Sequence, residues 1–184
     1  MVIKKNKQQG FSLVELMVIV GILGVLLGLA GAFSIKAAYR RSVDSLATRV
    51  ANTLQLTKLQ AARNGVEFRT KFVQSGNELH LITERGDSNT DSTVWKSNLN
   101  SLVSIKLDSY VDISIMPSLF KFKPNGTAYP EDEEFDSADD NFTVLAASGT
   151  DVDRCGKVII SELGRIAVIQ GHWDGSDCSQ VGDD

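Results

Sequence analysis

The spacing of hydrophobic and polar positions changes twice along the chain, which marks three kinds of segment. The first is a run, residues 16–33, that contains no charged or strongly polar side chain. At 1.5 Å of rise per residue this run would be about 27 Å long as a helix, close to the ~30 Å hydrocarbon core of a bilayer. It is therefore predicted to be a membrane-spanning helix.

The second segment is amphipathic. Small or apolar residues recur there at steps of three and four, which places them on one face of a helix. They are Val43, Leu46, Ala47, Val50, Leu54, Thr57 and Ala61. Asn64-Gly65 is a typical helix end, because glycine readily takes the left-handed conformation of a cap. The pattern predicts one helix from about Phe11 to Asn64, and two helices broken near residues 31–34 are the alternative.

Beyond Gly65 the period becomes two, which indicates strands. The predicted strands are residues 66–72, 79–83, 102–107, 111–115, 119–122, 142–146, 157–161 and 165–170. Turns are expected at 75–77 and 162–164, a polar loop at 87–92, and a solvated acidic loop at 131–140. The predicted fold class is α+β: a long N-terminal helix, membrane-spanning in its first half, packed on a C-terminal antiparallel β-sheet domain.

Charge is distributed unevenly along the chain. The net formal charge is −4, yet the first ten residues are basic because of Lys4, Lys5 and Lys7. Without these three lysines, 16 of the 19 basic residues remain against 23 acidic ones, a net of −7. A domain this acidic has no overall attraction for nucleic acid, although local patches are not excluded. The lysines predict a cytoplasmic N-terminus, with the residues after 35 on the far side of the membrane.

The junction between the basic leader and the apolar run is distinctive. Residues 7–16 read Lys-Gln-Gln-Gly-Phe-Ser-Leu-Val-Glu-Leu. An ordinary secretory signal cut within residues 28–32 is one interpretation. Two features oppose it: the polar leader ends at Gly10, before the apolar run, and a carboxylate, Glu15, stands beside that run. A carboxylate deep in a membrane helix costs ~2–3 kcal/mol, so Glu15 requires a partner.

This junction resembles the class III signal of type IV pilins and type II secretion pseudopilins. The resemblance implies that a prepilin peptidase cuts between Gly10 and Phe11, that Phe11 is then N-methylated, and that Glu15 pairs with the N-terminal amine of a neighbouring subunit during assembly. It also implies a bacterial single-pass inner-membrane protein whose C-terminal domain lies in the periplasm, incorporated in a pilus or pseudopilus. The corresponding segments are a cleaved leader (1–10), a transmembrane and filament-core helix (11–35), its amphipathic continuation (36–64) and a pilin-like β-rich domain (65–184).

The β-rich domain resembles the GspH/FimT/FimU group of minor pilins and pseudopilins. The resemblance rests on residues 61–65, on 122–126 (Phe-Lys-Pro-Asn-Gly) and on 155–161 followed by Gly164-Arg165. It implies a structural and assembly subunit of a type IV pilus or a type II secretion pseudopilus. The alternative is a DNA-binding minor pilin for DNA uptake, in which a Gly-Arg-x-Arg motif helps to hold DNA. Here only the first arginine, Arg165, is present, because Ala167 occupies the second position.

Two cysteines, Cys155 and Cys178, lie near the C-terminus. If the domain is periplasmic, its compartment is oxidising and the two are expected to form a disulfide bond worth roughly 3 kcal/mol; two separate thiols are the alternative. Cys155, His172 and Cys178 lack a fourth ligand for a zinc site, so no metal is predicted there.

The remaining candidate chemistry is weak. Asp151, Asp153, Gly156 and Glu162 match part of a calcium-loop pattern, but Cys155 occupies one of the ligand positions, so the match is taken as chance. No serine-hydrolase, zinc-protease or P-loop motif occurs, and His80 is expected in a strand. The sequence therefore predicts no enzyme and no cofactor. The expected partners are other pilin subunits, the prepilin peptidase and the inner membrane.

Overall fold

The computed structural model describes residues 12–108, 111–116, 118–130, 141–148, 151–173 and 178–180. For 29–39, 98–101, 114–116, 141–148, 151–153 and 180 it describes the backbone alone. The chain divides into two compact units, Met1–Ala38 and Tyr39–Asp184. One helix, α1 (Leu13–Asn64), contributes residues to both units.

The described residues of the first unit begin at Ser12 and form the start of α1. The amide of Leu16 donates a 3.2 Å hydrogen bond to the carbonyl oxygen of Ser12, and the side chains of residues 12–28 are exposed. No helix in the described part of the chain is both long enough and apolar enough to cross a membrane. The structure therefore does not show the membrane span that the sequence predicts.

The second unit contains the end of α1, where the predicted boundary is confirmed. The helix ends at Asn64, and Gly65 follows it with a φ of 66°. The amide of Gly65 donates to the carbonyl oxygen of Ala61 at 3.0 Å, which closes the last turn. All seven residues of the predicted helix face are at most 4% exposed. The amphipathic pattern thus identified the face of α1 that enters the core.

Among the residues that the structure describes, ten strands follow the helix, and all their pairings are antiparallel. They are β1 (Phe68–Ser75), β2 (Glu78–Gly86), β3 (Trp95–Lys106), β4 (Val111–Met116), β5 (Leu119–Phe122), β6 (Ala128–Pro130), β7 (Asn141–Ser148), β8 (Asp151–Ile160), β9 (Ile166–Trp173) and β10 (Cys178–Gln180). The first sheet has the order β3-β2-β1-β5-β6, and the second β10-β9-β8-β7-β4. The predicted α+β class with antiparallel strands is confirmed.

The buried face of α1 packs on both sheets. At its C-terminal end the hydroxyl of Thr57 lies 2.8 Å from that of Thr70 in β1 and 3.3 Å from that of Thr83 in β2. Nearer the middle of the helix, a Cβ added at Gly156 of β8 would lie 2.8 Å from the Cβ of Ala47. Glycine at 156 therefore lets the second sheet approach the helix backbone closely.

Several strand predictions differ from the structure. Neither β6 nor β10 was predicted, because strands of three residues are too short to show a period of two. The third strand begins at Trp95 instead of residue 102, and β8 begins at Asp151 instead of 157. Cys155 therefore lies inside a strand, and the calcium-loop pattern begins in extended backbone. The acidic segment 131–140 lies outside the described residues.

Candidate functional site

The N-terminal signal is only partly within the described structure. Gly10 and Phe11, which flank the predicted cleavage site, lie outside the described residues. Glu15 lies in the first turn of α1 and its side chain is exposed. A carboxylate at this end of a helix is favoured by the helix dipole. Exposure leaves Glu15 accessible to a group from another molecule.

A family model described as the prokaryotic N-terminal methylation motif matches residues 5–31. No curated protein and no solved structure matches the chain. The motif is a type IV prepilin-like signal and supports a type IV pilin-type protein. Such a signal implies processing by a prepilin peptidase and assembly with other pilin subunits, and it indicates a structural rather than a catalytic protein. The resemblance of the β-rich domain to the GspH/FimT/FimU group stays a prediction.

Two of the motifs that carry this second resemblance, residues 122–126 and Gly164-Arg165, meet in space around Lys58 of α1. Its ammonium donates a 2.8 Å hydrogen bond to the carbonyl oxygen of Gly164, in the turn between β8 and β9. A Cβ added at Gly126, in the turn between β5 and β6, would lie 3.2 Å from Lys58 Cε. The amide of Ala128, the first residue of β6, donates to the carbonyl oxygen of Glu162 at 3.0 Å, so β6 is also bonded to the turn between β8 and β9.

Arg165 follows this junction directly. Its backbone is held by Ser161: the amide of Ser161 donates to the carbonyl oxygen of Arg165 at 3.0 Å, and the amide of Arg165 donates to Ser161 Oγ at 3.1 Å. The Arg165 residue is exposed. The structure thus presents one arginine from a well-held turn, whereas position 167 is alanine.

The disulfide bond between Cys155 and Cys178 is present, with Cα atoms 5.8 Å apart and sulfur atoms at 2.09 Å. Both cysteines are buried, and they lie in β8 and β10, the two strands on either side of β9. The disulfide therefore adds a covalent link between β10 and β8 to the hydrogen bonds that pair β10 with β9. No group of side chains that could hold a metal ion occurs among the described residues.

A buried carboxylate, Glu67, was not identified from the sequence. It is 2% exposed, although it lies between the apolar residues Val66 and Phe68, where strand alternation would turn a charged residue towards solvent. Its two oxygens accept hydrogen bonds from the amides of Asp91 at 3.1 Å and Ser92 at 2.7 Å. Asp91 has a φ of 51°, a conformation that this bond helps to hold. Glu67 thus organises the polar loop between β2 and β3.

Glu84 in β2 is the centre of an ionic network on the first sheet. It lies 2.5 Å from Arg69 Nε and 3.1 Å from Lys71 Nζ, and Ser97 Oγ donates to it at 3.0 Å. Burial raises the pKa of Glu84, but the hydrogen bonds from these three residues and the charge of Arg69 together outweigh it, so the pKa lies below its ordinary value. Arg69 also stacks 4.2 Å from the ring centre of Trp95.

Proposed function

We propose that this chain is a minor pilin or pseudopilin, a structural and assembly subunit of a type IV pilus or of a type II secretion pseudopilus. The observation that carries the proposal is the methylation motif over residues 5–31, within which α1 begins at Leu13. In a filament of this kind the apolar first part of the helix has other helices to pack against. Packing against those helices would remove the exposed apolar side chains between Leu13 and Leu27 from solvent.

The proposal includes a precursor that is first held in the membrane. Residues 1–10 are the leader, 11–35 the membrane span and later the filament core, 36–64 the continuation of the helix, and 65–184 the periplasmic domain. The disulfide between Cys155 and Cys178 supports an oxidising compartment for that domain. Glu15 is the residue that receives the N-terminal amine of a neighbouring subunit.

The experiment is mass spectrometry of the mature chain, produced with and without a prepilin peptidase. We expect a chain that begins with N-methylated Phe11 only when the peptidase is present. Gly10→Val should block this processing, whereas the neighbouring control Gln9→Ala should not. A mature N-terminus within residues 29–33 would instead identify an ordinary secretory signal and overturn the proposal.

A DNA-binding role at Arg165 is the weaker hypothesis. The exposed guanidinium and its firmly held backbone favour it. The missing second arginine and the net charge of the domain oppose it. This hypothesis would be supported if the chain bound a labelled oligonucleotide and the Arg165→Gln variant did not.

A further inference from the structure

A pocket with three cations lies where the end of α1 meets the first sheet. Its volume is about 480 Å³, and it is lined by the exposed residues Arg63 of α1, Arg85 of β2 and Lys96 of β3. The other lining residues are uncharged, so the lining itself includes no carboxylate. None of the three cations forms an ion pair with another residue that the structure describes. We call this site the basic pocket.

The pairing of β2 with β3 has different kinds of charge pair at its two ends. At one end Glu78 lies directly opposite Lys106, which is a complementary pair, whereas at the other end Arg85 lies directly opposite Lys96. Like charges in this position destabilise a pair of strands. An anion bound between Arg85 and Lys96 would replace this repulsion by attraction to both residues.

The repulsion falls on a short part of the edge strand β3, from Trp95 to Ser97. A shift in register separates this part from the rest of the pairing with β2. On one face of the sheet, Trp95 stacks with Arg69 and the hydroxyl of Ser97 donates to Glu84. Because side chains alternate along a strand, Lys96 lies on the opposite face, in the basic pocket. A bound anion would therefore fasten the second face of this short segment to β2 and to the end of the helix.

The charges of the basic pocket favour a small oxyanion that carries several negative charges, such as a phosphate group. Two of the three cations are arginines, whose planar N–H groups match two oxygen atoms of a phosphate at once. The dipole of α1 disfavours an anion at this end of the helix, so binding depends on the three side chains. A long nucleic acid would be repelled by the net negative charge of the chain, whereas a small anion responds mainly to charges within a Debye length of ~8 Å.

We propose that the basic pocket binds a small multivalent oxyanion of the phosphate class, which joins Arg63 of α1 to Arg85 of β2 and Lys96 of β3. This inference goes beyond the proposed function and does not depend on it. Because the anion binds only the folded chain, it stabilises the fold. Since the three cations are exposed, binding should weaken as salt concentration rises.

The first test is isothermal titration calorimetry of the full mature chain in an uncharged detergent at low ionic strength, with inorganic pyrophosphate as the probe. The double variant Arg85→Gln/Lys96→Gln should bind pyrophosphate about fivefold more weakly, since each exposed ion pair contributes a factor of roughly 1.4 to 5. The matched control Arg49→Gln/Lys106→Gln removes one arginine and one lysine from another pocket, whose lining includes Asp108. This control should change binding by less than about twofold.

The second test is thermal unfolding of the same chains at constant ionic strength. Pyrophosphate at about ten times its dissociation constant should raise the melting temperature of the parent chain by about 4 °C. The variant Arg85→Gln/Lys96→Gln should show almost no such rise. Without pyrophosphate it should melt no lower than the parent, because the repulsion between the two strands is removed. Lys96→Arg keeps the charge and should keep the rise.

The proposal would be overturned if pyrophosphate did not bind, or if the two double variants bound it equally well. An equal rise in melting temperature for the parent and for Arg85→Gln/Lys96→Gln would also overturn it, because the effect would then be a general one of salt. Tighter binding of a single-stranded oligonucleotide than of pyrophosphate would identify a nucleic-acid site instead. Tighter binding of glycerol 3-phosphate would support the phosphate site and identify a lipid headgroup as the source of the group. Neither test involves Phe11, so failure here is separate from failure of the proposed processing.

Discussion

Lys58 Nζ donates a 2.8 Å hydrogen bond to the carbonyl oxygen of Gly164, although the two residues are 106 positions apart in the chain. The bond joins α1 to the turn between β8 and β9, and Gly126 from the turn after β5 adjoins both. Three segments that are distant in sequence, the helix and two turns, therefore contact one another at this junction.

Lys58→Met should destabilise the chain by about 1–2 kcal/mol, because a half-buried hydrogen bond from a charged donor is lost while the apolar stem of the side chain is kept. Thermal unfolding of the full chain in detergent, followed by near-ultraviolet circular dichroism, measures this. Lys106→Met, at an exposed lysine, is the control. Equal melting temperatures for the two variants would show that the bond to Gly164 contributes nothing.

Gly164→Ala should be more damaging than the same change at Gly76. Both glycines have positive φ, 67° and 57°, so both substitutions carry the cost of about 1–2 kcal/mol for the left-handed region. At Gly164 the new Cβ would also fall 2.0 Å from the carbonyl oxygen of Gly126, whereas nothing lies within 4 Å at Gly76. The added loss at Gly164 should reach about 2 kcal/mol or more. Similar unfolding curves for the two variants would contradict the close contact between the turns.

Replacing both Cys155 and Cys178 by alanine should lower stability by roughly 3 kcal/mol, since a separation of 23 residues is closed by the bond in the oxidised chain. Hydrogen exchange should show that β10 loses protection first, because its covalent link to β8 is gone and its short pairing with β9 remains. If the amides of β10 and β8 lost protection to the same extent, the prediction that β10 opens first would be wrong.

Glu84→Gln should reduce the sensitivity of the chain to acid. The pKa of Glu84 in the folded state lies below its ordinary value of 4.5, so the carboxylate contributes stability above that pH and loses it as pH falls through the folded pKa. Unfolding at pH 7 should show a loss of about 1 kcal/mol in the variant. The difference should shrink as pH falls below 4.5 and through the lower pKa of the folded state. A constant difference from pH 7 to pH 3 would contradict this linkage.

Glu15→Ala should leave membrane insertion intact or improve it, because a charge is removed from an apolar helix. Incorporation into filaments should fall, since the incoming N-terminal amine loses its partner. The fraction of the variant in sheared filaments, relative to the membrane fraction, measures this, with Ser12→Ala as a neighbouring control. Normal incorporation of Glu15→Ala would remove the assembly role of this residue.

Local patterns were sufficient for the helix and for most strands. The 3.6-residue period of the face from Val43 to Ala61 and the Asn64-Gly65 stop depend only on neighbouring residues, so the buried face and the end of α1 were predictable. The methylation motif is likewise a short linear signal, readable without any fold. Strand boundaries were less accurate, because pairing with another strand extended β3 and β8 beyond their own alternating patterns.

Features that depend on residues far apart in the chain were decided only by the tertiary structure. Alternation placed Glu67 outward, but the amides of Asp91 and Ser92 satisfy its carboxylate and allow it to be buried. The division of the strands into two sheets, with α1 packed on both, is set by pairings between residues far apart in the chain. The sequence alone determined the signal and the helix, whose causes are local, while the sites on the domain arose only when the sheets and the helix packed.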